Sequence, residues 1–334
     1  MNCVTSRCRS VPFALAVICI TATVGRTSDD AQTPPRLAGT VASPLVAATV
    51  NGVPVYVGEV QRLVDVASKP KLGSPAQRVT FASRVLEQLI DRVIVQTYLD
   101  QTEWRVDSAQ VDAKLAETRS TLAGKKQSLD DLLRRDAIPL DAFRRQVAWD
   151  IAWQRYVEAK LGDDRLKAYF EDHRRLYDGT QLRVSHILFR SDETGAPRAT
   201  AELVRAAAKL RVRIERGEIS FAEAAARVSA GPSRHGGGDL GLIGRRGPMD
   251  AAFSQAAYEL QPGEISHPVV TRFGVHLIRV TSVRAGKRAF LDVRSELIGP
   301  AQRDLFSQLA ADLRKEAKVN YHRVEGVEAG QDSP

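Results

Sequence analysis

Apolar residues recur every three or four positions through Val85, Leu86, Leu89, Ile90, Val93, Ile94 and Tyr98. That spacing predicts a helix with one broad buried face. Ahead of it, residues 46–57 read as a strand-like piece folded at Asn51-Gly52, a tight-turn pair. Behind it, Asp107 stands as an N-cap for a helix carrying Val111, Leu115 and Leu122, and Ser128 with Asp131 opens a shorter one. The helical period continues over 140–177, with a break predicted at Gly162-Asp163. At Gly179 the period changes. Residues 181–190 read as a strand, 199–216 and 220–229 as helices, 250–260 as a short helix, and 265–270 and 274–283 as strands. A helical period returns over 292–317, interrupted at Gly299-Pro300, and 319–324 is strand-like. A lone C-terminal helix or edge strand is not stable by itself. The small α+β module is therefore expected to be inserted into one mainly α-helical domain, with residues 46–178 before it, 179–285 forming it, and 286–330 completing the helical part.

Composition changes this picture only at the N-terminus. Arg7 and Arg9 precede an apolar run over 11–20 that fades into small residues, the pattern of a secretory signal, here 1–25. The run is short for a membrane span, so no stable span is expected once the signal is cleaved; an uncleaved anchor is the alternative. Residues 26–45 are polar and proline-bearing and read as a linker. Cys3, Cys8 and Cys19 all lie in the signal-like segment, which leaves a mature chain without a disulfide, a thiolate metal site or a cysteine nucleophile. The net charge of +8 comes from 48 Lys and Arg against 40 Asp and Glu. Acids interleave with bases throughout and only 6% of residues are aromatic, so the clustered footprint of a nucleic-acid binder is missing.

The candidate chemistry centres on "HGGGDLGLIGRRGPM", residues 235–249, with six glycines. Gly236, Gly238 and Gly241 satisfy G-x-G-x-x-G by count. A dinucleotide fingerprint needs a strand before the glycines and a helix after them. Here a helix-like segment precedes them, Gly244, Gly247 and Pro248 break any helix that follows, and no Gly-Lys-Ser/Thr is present. A nucleotide cofactor is not expected, nor is any other, and no histidine has metal-ligand spacing. Val184-Ser-His-Ile-Leu, Phe221-Ala-Glu-Ala-Ala, Ser229, Gly237-Gly-Asp-Leu-Gly, Met249, Phe253, Leu260-Gln-Pro-Gly-Glu, and Phe273-Gly-Val-His occur in that order. In that order they resemble the parvulin (PpiC-like) peptidyl-prolyl cis/trans isomerases. The flanking Ala-Thr-Val-Asn-Gly-Val-Pro-Val opening and the closing Asp-Leu-Arg-Lys-Glu-Ala-Lys-Val-Asn-Tyr look, more loosely, like the chaperone core of SurA-like and PrsA-like exported foldases.

The resemblance implies an α+β fold, with a four-stranded antiparallel sheet and surrounding helices as the inserted parvulin module. It also implies rotation of X–Pro bonds in unfolded or nascent exported polypeptides, in the periplasm or cell envelope. Leu240, Met249 and Phe253 match the proline pocket, with Phe253 equally readable as core; Met249 is adaptable and Phe253 supplies a flat wall. His186 and His276 match the paired histidines on neighbouring strands, either tuning a polar network or holding the fold. Thr271 matches a hydroxyl beside them. The glycines are expected to let the backbone turn tightly behind the pocket. One position departs from the family: the aspartate or cysteine two residues after the matching serine is Gly231 here. Ser233 is the nearest polar substitute. The alternative to an isomerase is therefore a weakly active or inactive holdase. The loop over 190–198 is mixed in charge without paired arginines, which implies no phosphate-directed recognition.

Overall fold

The computed structural model describes residues 45–67, 75–190 and 197–322. The signal-like segment, the linker up to residue 44 and most of the 190–198 loop lie outside them. In chain order the elements are β1 (Val46–Val50), β2 (Val53–Tyr56), α1 (Val57–Ala67), α2 (Pro75–Asp100), α3 (Ser108–Gly124), α4 (Leu129–Arg135), α5 (Leu140–Lys160), α6 (Asp163–Asp172) and α7 (Arg174–Tyr177). Then follow β3 (Gln181–Phe189), α8 (Pro197–Glu215), α9 (Phe221–Val228), β4 (Asp239–Gly244), α10 (Ala251–Glu259), β5 (Val269–Thr271), β6 (Gly274–Arg284), α11 (Phe290–Arg314) and β7 (Val319–Tyr321). The described residues divide into two compact units, a first made of those up to Leu161 and from Gln302 onward, and a second, Gly162–Ala301. No helix among the described residues is long and apolar enough to cross a membrane.

In the first unit, Asn51 and Gly52 both take positive φ (50° and 84°), the geometry of a two-residue hairpin turn between β1 and β2. β7 pairs with the other edge of β1, so the chain's last described strand completes a sheet begun by its first. Asn51 fixes that return, its side chain accepting from the Lys318 N–H at 2.9 Å. The strands pack on α1 and α2 through Val50, Val55, Val60 and Ile90. Trp149, Trp153 and Tyr156 of α5 form a second cluster with Leu305 and Ala310 of α11. Asp107 accepts from the Gln110 N–H at 2.8 Å and Ser128 from the Asp131 N–H, capping α3 and α4.

α11 does not break at Gly299-Pro300; it runs through with Pro300 inside it. Val293, Leu297, Ala301 and Leu305 are buried at four-residue spacing, and burying them outweighs one missing backbone bond.

The second unit holds a four-stranded antiparallel sheet in the order β4-β3-β6-β5, giving an α+β fold. The strand expected over 265–270 is shorter, Val269–Thr271, with Ile265 joined to Arg279 only as an isolated bridge. Pro268 offers no N–H, and the Ser266 hydroxyl takes the Ile278 N–H at 3.0 Å in place of a carbonyl. Alternate residues of β3 and β6 face opposite sides. Ile187, Val275 and Leu277 pack beneath α8 and α9. Leu182, Val184, Ile278 and Val280 pack against Phe253, Ala257 and Tyr258 of α10. His186 and His276 share the α10 side by strand parity.

Candidate functional site

Strand register brings the histidines together. His186 lies opposite Ile278 and Leu188 opposite His276, so the two imidazoles are diagonal neighbours on one face. Their Nδ1 atoms are 3.2 Å apart and both residues are buried. Thr271 on β5 places its Oγ1 2.8 Å from His276 Nε2, and that hydroxyl also accepts from the Phe273 N–H at 3.1 Å. One Nδ1 must carry the proton that the other accepts, so the tautomers of the two rings are tied together. The chain Thr271–His276–His186 ends at His186 Nε2, which is buried without a partner.

Phe253 lies edge-on to both rings, 5.9 Å from His186 and 5.4 Å from His276 between centroids. Leu240 and Met249 are partly buried against the same cluster as Phe253. Leu240, Met249 and Phe253 thus belong to one apolar cluster, and Phe253 is its member shown beside the imidazole pair. Ser233 stands in a 3-10 turn over Pro232–Gly236; its hydroxyl is buried without a partner and no hydrogen bond links it to the histidines. His173 stacks on Tyr169 and bonds its carbonyl, and the exposed His267 takes a hydrogen bond from Arg211.

The glycine-rich loop has one residue at which close approach decides everything. Gly238 has φ +82°, and a Cβ there would sit 2.3 Å from the carbonyl oxygen of His186. His186 N–H donates to the Gly238 carbonyl at 2.9 Å, so the loop lies directly on the strand that carries the histidine. At Gly236 and Gly241 a Cβ would meet nothing within 4 Å. The glycines lead into strand β4 rather than a helix, which is the wrong context for a pyrophosphate.

Ser229 belongs to the matching motif, and its position in the sequence carries no signal of a role at the site. Its hydroxyl accepts from the N–H groups of Leu188 (3.1 Å) and Gly231 (3.2 Å), pinning the following loop to β3. This places Gly231 against His186: a Cβ there would lie 2.9 Å from Nε2. The glycine gives His186 its ring position and leaves that nitrogen without the acid or thiol seen in the matching motif. Gly231→Asp is expected to push the ring aside and raise the His186 pKa by supplying a counter-ion. An imidazole titration by NMR that shows no upward change would separate this position from the histidine.

Burial pushes the His276 pKa down to about 4, with further lowering from His186 and a small opposing effect of Asp250. Burial also lowers that of His186. Unfolded imidazoles titrate near about 6.5. Between about 6.5 and 4 the unfolded chain therefore binds more protons, and the pair's contribution, complete above about 6.5, is lost as pH falls. Asp150, raised to about 6 by burial, works in the opposite direction. Urea midpoints measured from pH 7 to 4.5 should therefore fall more steeply in the wild type than in His276→Gln. Parallel curves would mean that the pair is not held neutral by the fold.

Residues 186–282 match the Rotamase family, a PPIC-type PPIASE domain. The chain is 31% identical over 220 residues to the foldase protein PrsA of Bacillus subtilis, covering 65% of this chain and 65% of that relative. It is 40% identical over 152 residues to the chaperone SurA of Cupriavidus pinatubonensis, covering 43% of this chain and 30% of that one. The chain thus spans about two thirds or less of these relatives. A solved PrsA structure from Bacillus anthracis aligns over 69% of this chain and 96% of its own, at 19% identity and a TM-score of 0.35.

Proposed function

We propose, from a chain that carries a PPIC-type PPIase domain over residues 186–282, that it is a peptidyl-prolyl cis/trans isomerase and chaperone for exported polypeptides. The observation that carries this reading is a buried, hydrogen-bonded imidazole pair faced edge-on by Phe253, whose apolar cluster also takes in Leu240 and Met249. An X–Pro bond rotates over a barrier of about 18–20 kcal/mol because twisting removes amide resonance. A thousandfold acceleration requires about 4 kcal/mol of preferential binding to the twisted bond and no covalent step. Leu240, Met249 and Phe253 would hold the pyrrolidine ring and exclude water. The imidazoles, neutral at physiological pH, would act as fixed dipoles beside the rotating amide rather than as acids.

The relatives named as foldase and chaperone support unfolded proteins as clients. Together with the signal-like N-terminus, they support the periplasm or cell envelope as the place of action.

A second reading is favoured by Gly231, which leaves His186 Nε2 without an acid or thiol: the module binds X–Pro segments but turns them over slowly or not at all, as a holdase. An isomerisation assay on a short Ala-Pro peptide decides between them. Acceleration by the wild type that collapses in Met249→Ala and His276→Ala supports the enzyme. No acceleration, with suppression of client aggregation retained, supports the holdase.

A further inference from the structure

Asp250 sits directly after Met249 and opens the helix that carries Phe253. It is the N-cap of α10, and its Oδ1 accepts from the Ala252 N–H at 3.0 Å. An N-cap has a structural use of its own, because it satisfies a terminal N–H of the helix. That bond occupies one oxygen of the carboxylate. The residue is only half-buried, and no cation pairs with it among the described residues.

Two observations set this carboxylate at the candidate site. The first is packing. α10 lies against β5 and β6, and Phe253, in the first turn of the helix, meets the His276 ring edge-on at 5.4 Å. The cap bond holds the Asp250 carboxylate over that same turn. The second is electrostatic: the charges that act on His276 are the His186 imidazole and the Asp250 carboxylate. Nearby cations are paired or act elsewhere. Arg246 pairs with Glu296 at 2.9 Å, and Arg183 with Asp239 at 2.6 Å. Arg245 acts on Tyr258, further along α10. Arg272 lies over the Phe273 ring, 4.7 Å from its centroid, and is not among the charges that act on His276.

We propose that Asp250 is a specificity-determining residue of the isomerase site, its free oxygen receiving the side chain of a Lys or Arg next to the client's proline. The class of segment it selects is a basic X–Pro sequence. A carboxylate beside an apolar pocket attracts a cation without taking part in bond rotation, so its effect falls on the choice of client. The chain's net charge of +8 attracts acidic peptides, so a preference for basic ones cannot come from its overall field. The preference rests on the isomerase site proposed above.

Three peptides blocked at both ends test it: Ala-Lys-Pro-Lys-Ala and its Gln and Glu counterparts. NMR exchange spectroscopy gives the catalysed cis/trans rates, and the Met249 methyl signal gives the affinities. At low salt, kcat/KM of the wild type on the Lys peptide should exceed that on the Glu peptide by at least about fivefold, with the Gln peptide between them. The ratio should shrink in about 0.5 M salt, where exposed charges are screened. Asp250→Asn keeps an oxygen for the Ala252 N–H and should bring the Lys/Glu ratio to about one or below. Glu259→Gln removes a charge from the far end of the same helix and should leave the wild-type ratio.

A wild-type Lys/Glu ratio of about one or less would overturn the proposal. So would a ratio that survives in Asp250→Asn, or one lost equally in Glu259→Gln. If no peptide is turned over, the isomerase reading fails and the affinities decide. Tighter binding of the Lys peptide by the wild type, but not by Asp250→Asn, leaves the specificity standing; any other result ends it.

Discussion

Gly238→Ala is expected to destabilise the protein by at least about 3 kcal/mol, as the sum of left-handed backbone strain and overpacking. The backbone there has φ +82°, which an L side chain adopts only under strain, and the new methyl would sit 2.3 Å from the His186 carbonyl oxygen. Neither partner can yield cheaply. The carbonyl belongs to β3, which is bonded on both sides, to β4 and to β6, and the Gly238 carbonyl holds the His186 N–H. Two neighbours provide the scale. Gly241→Ala meets nothing within 4 Å but keeps φ +71°, so it should cost about 1–2 kcal/mol from strain alone. Gly236→Ala meets neither problem and should change little. Urea unfolding of the three variants gives the order directly. Equal losses at 238 and 236 would mean that the loop does not lie on the histidine strand.

Phe253→Ala is expected to cost about 3–5 kcal/mol of stability and to lower kcat/KM on an Ala-Pro peptide about a hundredfold, equivalent to about 2.7 kcal/mol of lost transition-state binding. The residue is 2% exposed and touches both imidazoles edge-on. Removing it opens a cavity and lets water reach the rings, so both histidine pKa values should move back up toward about 6.5. Phe253→Leu separates the two roles. It keeps most of the volume, so the stability loss should shrink well below that of alanine, while the flat wall against the imidazoles is still gone. A Phe253→Ala protein that folds with unchanged catalysis would reduce the residue to core, the other reading its helix position allowed.

Local signals in the chain were read most securely where a side chain acts on its own backbone. Asp107 and Ser128 cap their helices, and Asn51-Gly52 turns the first hairpin, because each is a short-range hydrogen bond or dihedral preference. The strand expected over 265–270 and the break expected at Gly299-Pro300 differ from the structure for a common reason. In both, a distant partner decides: the Ser266 hydroxyl substitutes for a ladder carbonyl, and buried neighbours carry α11 across its proline.

The glycine-rich loop was legible only in part. The need for tight backbone near the site is met at Gly238, whereas Gly236 and Gly241 have open space beside them. The role of Ser229 in setting Gly231 against His186 depends on two side chain–backbone bonds that no spacing rule encodes. The histidines, Thr271 and the three apolar residues could be named in advance from motif order. Their mutual distances, and the depressed basicity of the pair, follow only from strand register and burial.

The chain has two methionines, Met1 and Met249, so ¹³C-methyl methionine labelling puts a single reporter on the apolar cluster that holds Phe253. Titration with an Ala-Pro peptide should shift the Met249 methyl resonance saturably and broaden it as the bound X–Pro bond exchanges, with the imidazole signals of His186 and His276 moving at the same midpoint. A Met249 methyl that stays fixed while the peptide binds elsewhere on the chain would contradict the placement of the prolyl ring in this pocket.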